Sequence, residues 1–450
     1  MTLLRRLSDI EATFAYTHAL MRGTTQVTTQ VTVSGALAPE RLEAAARRWA
    51  DALPMLSLRI EERPDGLWFA GGPRLQDGQL RHSELASSES TEPSESADEV
   101  LRRELNNVLE TGGPLWRLHT VRDRAAERTH LYFTRNHAIS DGHSTGAVIR
   151  ALLDELFGPS GETSPFRVRE VPPAARDLTY RHPSSATGAA GQALPSPPWH
   201  PSPPWHPSPP WHPSPPSHPS PERLPFAEHR PWAERGADLV PVALTLEDSQ
   251  ALKSWCREYQ VTVNQFFGAA LAEAYAEATG RSAVGLSTAI SLRRRYTSDT
   301  PLPDVGCFIG VHTVPLRLDQ GDLAGHAREY GAALSRADAA WRPPAREHAA
   351  IRRAVEETAA ARSAAAICLT NVGIADPALG PHLGRVTGYR TVVNRTGANY
   401  GVVLHLGTLA GTFGPVLAFG TPAVDPALAR AVAKGLHDRA VRPDAAHRAG

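Results

Sequence analysis

Residues 132–144 read Tyr132-Phe-Thr-Arg-Asn136-His137-Ala-Ile-Ser-Asp141-Gly142-His143-Ser144, and the fold turns on how this stretch is read. A strand near His130 to Thr134 runs up to His137, a short turn follows, and Asp141-Gly142 opens a helix over about 144–156. His-x-x-x-Asp-Gly at a strand-to-helix junction puts an imidazole and a carboxylate within one turn of each other. His137, Asp141 and His143 are also residue types that bind zinc, but one local cluster lacks the further ligands that such a site needs, and no metal is expected. No Gly-x-Ser-x-Gly elbow, phosphate-binding loop or dinucleotide fingerprint occurs, so hydrolase, kinase and dehydrogenase readings have no local support.

Working outward, elements of both kinds surround this junction. Ser8 to Met21 reads as a helix opened by a capping box, with Glu11 three residues after Ser8. Val27, Thr29, Val31 and Val33 alternate with polar residues, as in a strand with one wet face. A helix is expected over 39–53, a hairpin turning at Pro64-Asp65-Gly66, a solvated loop over 83–98, a helix near 98–110 and a strand over 115–121. Later, residues 262–279 form a long helix closed by Gly280, followed by strands at 283–292 and 311–318 and helices at about 321–340 and 344–362. A strand at 365–370, three β segments between Val386 and Phe419, and a helix from about 425 to 438 complete the chain. The mixture predicts an α/β protein of two lobes: residues 1–182 with the His-x-x-x-Asp-Gly motif, a linker over 183–228, and residues 229–450.

The linker is compositionally separate. Of the 39 prolines in 450 residues, 14 lie between Pro195 and Pro221, where Ser-Pro-Pro-Trp-His-Pro recurs from Ser196, Ser202 and Ser208. Such a run excludes helix and sheet and favours polyproline II. His200, His206, His212 and His218 invite a metal-binding reading, and Trp199, Trp205 and Trp211 an aromatic-groove reading. A six-residue period also fits simple expansion within a tolerated tether, and removal of Ser196 to Pro219 is then expected to preserve activity.

Charge excludes more. With 47 basic and 47 acidic side chains the formal net charge is zero, giving no footprint for nucleic acid or an anionic membrane. Three cysteines, Cys256, Cys307 and Cys368, are odd in number and far apart, which suits a reducing, cytoplasmic setting. No 18-residue apolar run and no signal-peptide core occur, so neither a membrane span nor secretion is expected.

The motif resembles the His-His-x-x-x-Asp-Gly signature of the chloramphenicol-acetyltransferase-like superfamily, which includes nonribosomal peptide synthetase condensation domains and polyketide-associated acyltransferases. Thr262-Val263-Asn264 opening a long helix, Ser291-Leu292-Arg293 after a strand, Gly306-Cys307-Phe308, Pro315-Leu316-Arg317 and Leu369-Thr370-Asn371-Val372-Gly373 resemble further family motifs in order and spacing. Size and free-standing character look closest to the polyketide-associated acyltransferases. The resemblance covers nearly the whole chain outside the repeat. It implies two lobes, each a mixed sheet flanked by helices, with a tunnel between them.

It also implies an acyltransferase of natural-product metabolism. His137 is then the general base that takes a proton from a hydroxyl or amine attacking an acyl thioester, and an ordinary imidazole pKa of about 6.5 makes a neutral base available at pH 7. Asp141 turns away and pairs with Arg293 of the other lobe, and Gly142 allows a tight turn and close substrate approach. His143 and Asn371 are candidate tunnel residues. The family's first histidine is Asn136 here, a departure that leaves open a catalytically altered binding or scaffold homologue; amide-forming condensation is a further alternative. No cofactor is implied. The donor is acyl-CoA or a phosphopantetheinyl carrier protein, the acceptor a small-molecule or lipid alcohol or amine, and the protein a monomer.

Overall fold

The computed structural model describes residues 3–85, 96–158, 166–181, 222–298 and 301–443. The Pro-Trp-His repeat, and with it most of the expected linker, lies outside the described residues.

Helix initiation follows the local signals. Glu11 accepts the Ser8 N–H at 2.7 Å at the start of helix Asp9–Leu20. Thr262 and Gln265 cap each other reciprocally at the start of Val263–Thr279, whose end is closed by Gly280 in the left-handed region at φ 67°. The expected hairpin is formed by Leu58–Arg63 and Gly66–Gly71.

Two larger sheets organise the molecule. The first has the order Val386–Val393, Gln26–Ser34, Arg128–Asn136, Trp116–Asp123, Leu80–Glu84, antiparallel except for the last pair. The second has Gly236–Pro241, Val416–Thr421, Val403–Leu409, Ile367–Ile374, Ala283–Ser291 and Ile309–Arg317 along its path, with Thr412–Phe413 attached to Val403–Leu409. Ile367–Ile374 is parallel to both of its neighbours. Helices cover both sheets, so the α/β class and the mixed sheets are as expected.

Several elements differ from the sequence reading. Strand Leu80–Glu84, whose last two residues fall in the expected loop, was not anticipated, nor were strand Gly236–Pro241 and helix Leu246–Glu258. Strand Gln26–Ser34 has no wet face: all but its last residue are buried. Its polar side is covered by helix Ala97–Asn106 and satisfied internally, with Gln26 bonded to the Asn107 carbonyl, Thr28 to Thr134 and Thr32 to His130.

The two halves of the chain are interlocked. Strand Val386–Val393 pairs with Gln26–Ser34 of the first sheet, although the strands on either side of it in sequence belong to the second. Ile351 and Val355 of helix His348–Ala360 pack into the core beneath the first sheet with Ala12 and Tyr16. A third apolar cluster joins Val100, Leu101 and Tyr132 to Leu239, Val392 and Ala418. Where the expected linker is described, Leu224 is buried and Leu224–Pro225 pairs with Ser363–Ala364. Among the described residues no helix is long and apolar enough to cross a membrane.

Candidate active site

The motif strand Arg128–Asn136 lies in the first sheet beside Gln26–Ser34, and the chain leaves it through a single helical turn, His137–Ile139. Asn136 caps that turn: its Oδ1 accepts the Ala138 N–H at 3.0 Å. The family's first motif position is thus occupied here by a residue with a structural task that asparagine performs well.

Helix Gly142–Phe157 begins immediately afterwards, with Asp141 as its N-cap. Asp141 Oδ1 accepts from Ser144 N and Ser144 Oγ, both at 2.8 Å, and Oδ2 accepts from Phe308 N at 3.1 Å. Arg293 closes the set, 3.0 Å from Oδ2, while donating to the Pro303 carbonyl at 2.7 Å. Burial alone would raise this carboxyl. The Arg293 charge and the bonds from Ser144 and Phe308 more than offset that and hold it below the usual carboxylate range. Asp141 is therefore fully engaged with protein.

His137 stands at the other end of the turn. Phe14 stacks on its ring with centroids 4.3 Å apart, and Cys307 Sγ lies 4.0 Å from Nδ1. The Cys307 contact lies on the Nδ1 edge of the ring, and no hydrogen bond from the described residues engages Nε2. Burial, reinforced by the neighbouring Arg135 charge, pushes its pKa down to about 4. The imidazole is accordingly neutral at pH 7, as the sequence reading required, but a weaker base than an ordinary histidine.

A cavity of about 630 Å³ opens at this point, with His137, Asp141, Gly142, His143, Arg293, Asn371, Thr391 and His405 among its lining residues. Of the candidate site residues, His137, Asp141, Gly142, His143, Arg293 and Asn371 thus reach one space, and Asn136 does not. A larger groove, about 830 Å³ between helices Val263–Thr279 and Pro426–Val441, shares no lining residue with it.

Three placements refine the expectations. Gly142 does not adopt a left-handed turn; a Cβ there would meet Val372 Cγ1 at 3.2 Å, so the glycine lets the motif helix approach strand Ile367–Ile374. His143, more than a third exposed, bonds Asp304 at 2.7 Å rather than His137. Asn371 uses its Oδ1 to accept the Gly373 N–H at 2.8 Å, fixing the irregularity in that strand. Among the described residues no group of three or more His, Cys, Asp or Glu side chains is arranged to hold a metal ion.

Two buried basic residues of the lining escaped the sequence reading. Arg135, two positions before His137, is fully buried and donates to Thr29 Oγ1 at 3.0 Å and to the hydroxyls of Ser140 and Thr145. Its period-two relation to His137 was available as a signal. His405 enters from strand Val403–Leu409 inside the apolar run Val-Val-Leu-His-Leu, with nothing in the linear chain to link it to His137.

Two interlocked mixed sheets with the motif histidine at a cavity between their strands define a chloramphenicol-acetyltransferase-like fold. Comparison with known proteins places the chain further. Residues 233–402 match the family profile described as phthiocerol/phthiodiolone dimycocerosyl transferase C-terminus. No curated protein matches the chain. Similar solved structures include a trichothecene 15-O-acetyltransferase from Fusarium sporotrichioides, 10% identical, TM-score 0.65, covering 97% of this chain and 95% of that one. The first condensation domain of the calcium-dependent antibiotic synthetase is 15% identical, with TM-score 0.62 and 98% of each chain covered. Polyketide synthase associated protein 5 from Mycobacterium tuberculosis is 14% identical, with TM-score 0.60, covering 98% of this chain and 99% of that one. The expected resemblance to this superfamily holds at the level of the fold.

Proposed function

We propose that the protein is an acyltransferase moving an acyl group from a CoA or carrier-protein thioester to a hydroxyl or amine in natural-product metabolism. The observation that carries this reading is a neutral His137 at the wall of the cavity, with Asp141 turned away onto Arg293. In the reaction, His137 Nε2 accepts the proton of the acceptor O–H or N–H as its heteroatom bonds to the thioester carbon. The tetrahedral adduct then expels the thiolate, which takes the proton back from the imidazolium, so no net proton is gained or lost. Alignment of two substrates in one enclosed space supplies the rest of the acceleration. Asp141, Gly142, Arg293 and Asn136 position the loop; His143 and Asn371 edge the substrate space. The capping role of Asn136 accounts for the departure from the family pattern without loss of the base.

The test is incubation with labelled acyl thioesters and a panel of alcohols and amines, read by intact mass of the products. Transfer that falls roughly 10²- to 10⁴-fold in His137→Ala supports the reading. Full transfer in that variant overturns the base assignment. No transfer with any pair favours the binding homologue, and exclusive amide formation the condensation enzyme.

A further inference from the structure

The charge balance inside the cavity is unequal. Asp141 is the one carboxylate among its lining residues, and Arg293 already holds it. Arg135, 1% exposed, lines the same cavity with hydroxyl partners only and no carboxylate in ion-pair reach among the described residues. Arg395, 8% exposed and outside the cavity lining, packs over the Tyr400 ring, has no ion-pair partner among the described residues, and keeps its Nε buried without a hydrogen bond. The Arg395 charge reaches both His137 and His405, adding to the burial that holds each imidazole neutral.

His405 adds a donor without a partner. It is 2% exposed and lines the cavity, and its Nε2 accepts the Val393 N–H at 3.4 Å. That bond puts the ring proton on Nδ1, which is buried and has no partner. A buried donor and a buried guanidinium left unmatched are costly in an empty protein, and both become favourable when an oxyanion occupies the space.

We infer that the cavity recognises a carboxylate on one of its substrates, received by His405 Nδ1–H beside the Arg135 charge of the lining, with Arg395 adding positive field from outside the lining. This deepens the acyl-transfer reading and rests on it only for the identity of the carboxylate's bearer: a hydroxy-acid or amino-acid acceptor, or an acyl thioester of a dicarboxylic acid. The positive field then selects the charged substrate over its neutral analogue, while Asp141 stays with Arg293 and does not repel it.

Equilibrium binding to the full-length protein tests this independently of turnover. Calorimetric titrations would compare 3-hydroxybutyrate and β-alanine with their methyl esters, and succinyl-CoA and glutaryl-CoA with butyryl-CoA. At least one acid is expected to bind about tenfold or more tightly than its neutral counterpart, in the acceptor or the donor arm. Arg395→Met and His405→Phe should remove that preference, whereas Arg395→Lys should retain most of it. Equal binding of every acid and its neutral counterpart, or no binding by any acid, overturns the inference, and neither comparison depends on a variant that folds. An acid preference without acyl transfer for any pair overturns the proposed function and leaves carboxylate recognition standing.

Discussion

The depressed pKa of His137 predicts an unusual pH profile. An ordinary imidazole, with pKa about 6.5, is only about 3% unprotonated at pH 5, whereas one at about 4 is about 90% unprotonated. The two cases therefore differ roughly thirtyfold in available base at that pH. With burial and Arg135 holding His137 at about 4, kcat/KM should stay nearly flat from pH 7.5 to about 5 and fall only below that. The assay is kcat/KM for one acyl thioester and one alcohol acceptor at constant ionic strength, using an acceptor that does not titrate in the range. A limb that falls tenfold per unit from pH 6.5 downward would refute the argument, because it would place His137 in a solvated environment.

The same shift has a stability consequence. Between about pH 6.5 and 4 the unfolded chain protonates this histidine and the folded chain does not, so stability falls as pH drops through that window, by about 1.4 kcal/mol per unit at most. Other buried histidines, among them His18 and His405, act in the same direction. The contribution of His137 is therefore read as the difference between wild type and His137→Gln in urea titrations at pH 7 and pH 5. Parallel stability changes in the two proteins would contradict a buried, neutral imidazole.

Other outcomes follow from the geometry around the motif. Arg293→Ala strands the buried Asp141 and should cost roughly 3–5 kcal/mol, with part recovered in the Asp141→Asn double variant; an unchanged Tm would contradict the ion pair. In the wild type the Asp141 contribution is present above its unfolded pKa of about 3.9 and is lost as pH falls through the lower folded value, a loss readable by acid unfolding. Gly142→Ala presses a methyl against Val372 and should destabilise by about 1 kcal/mol, seen as a lower urea midpoint; a stabilised variant would show that the strand gives way freely. Asn136→Ala removes the cap on the turn before Asp141 and should cost about 1 kcal/mol, whereas Asn136→Asp should preserve that bond; equal loss in both would refute the capping role.

What was legible in the sequence was what is encoded over a few residues. The capping box at Ser8, the hairpin at Pro64-Asp65-Gly66 and the Gly280 cap are local hydrogen-bond and backbone preferences, and they stand where the spacing put them. The Asp141 and Arg293 pair was anticipated from family resemblance, and its geometry agrees. Strand Leu80–Glu84 was hidden because its polar side chains give no alternation, and its existence depends on parallel pairing with Trp116–Asp123. The wet face expected for Gln26–Ser34 failed for a related reason: threonine and glutamine look solvent-facing until a distant helix and cross-strand hydroxyls supply their partners.

The sequence by itself therefore determined the α/β class, the motif junction and the position of His137 at the end of a strand, because these depend on interactions within a turn or a short run. Tertiary structure alone decided that Val386–Val393 leaves its neighbours for the first sheet, and that His405 joins His137 and Arg135 around one space. Register between strands hundreds of residues apart is set by packing, and so is the environment that turns an ordinary imidazole into a weak, neutral base beside unmatched positive charge.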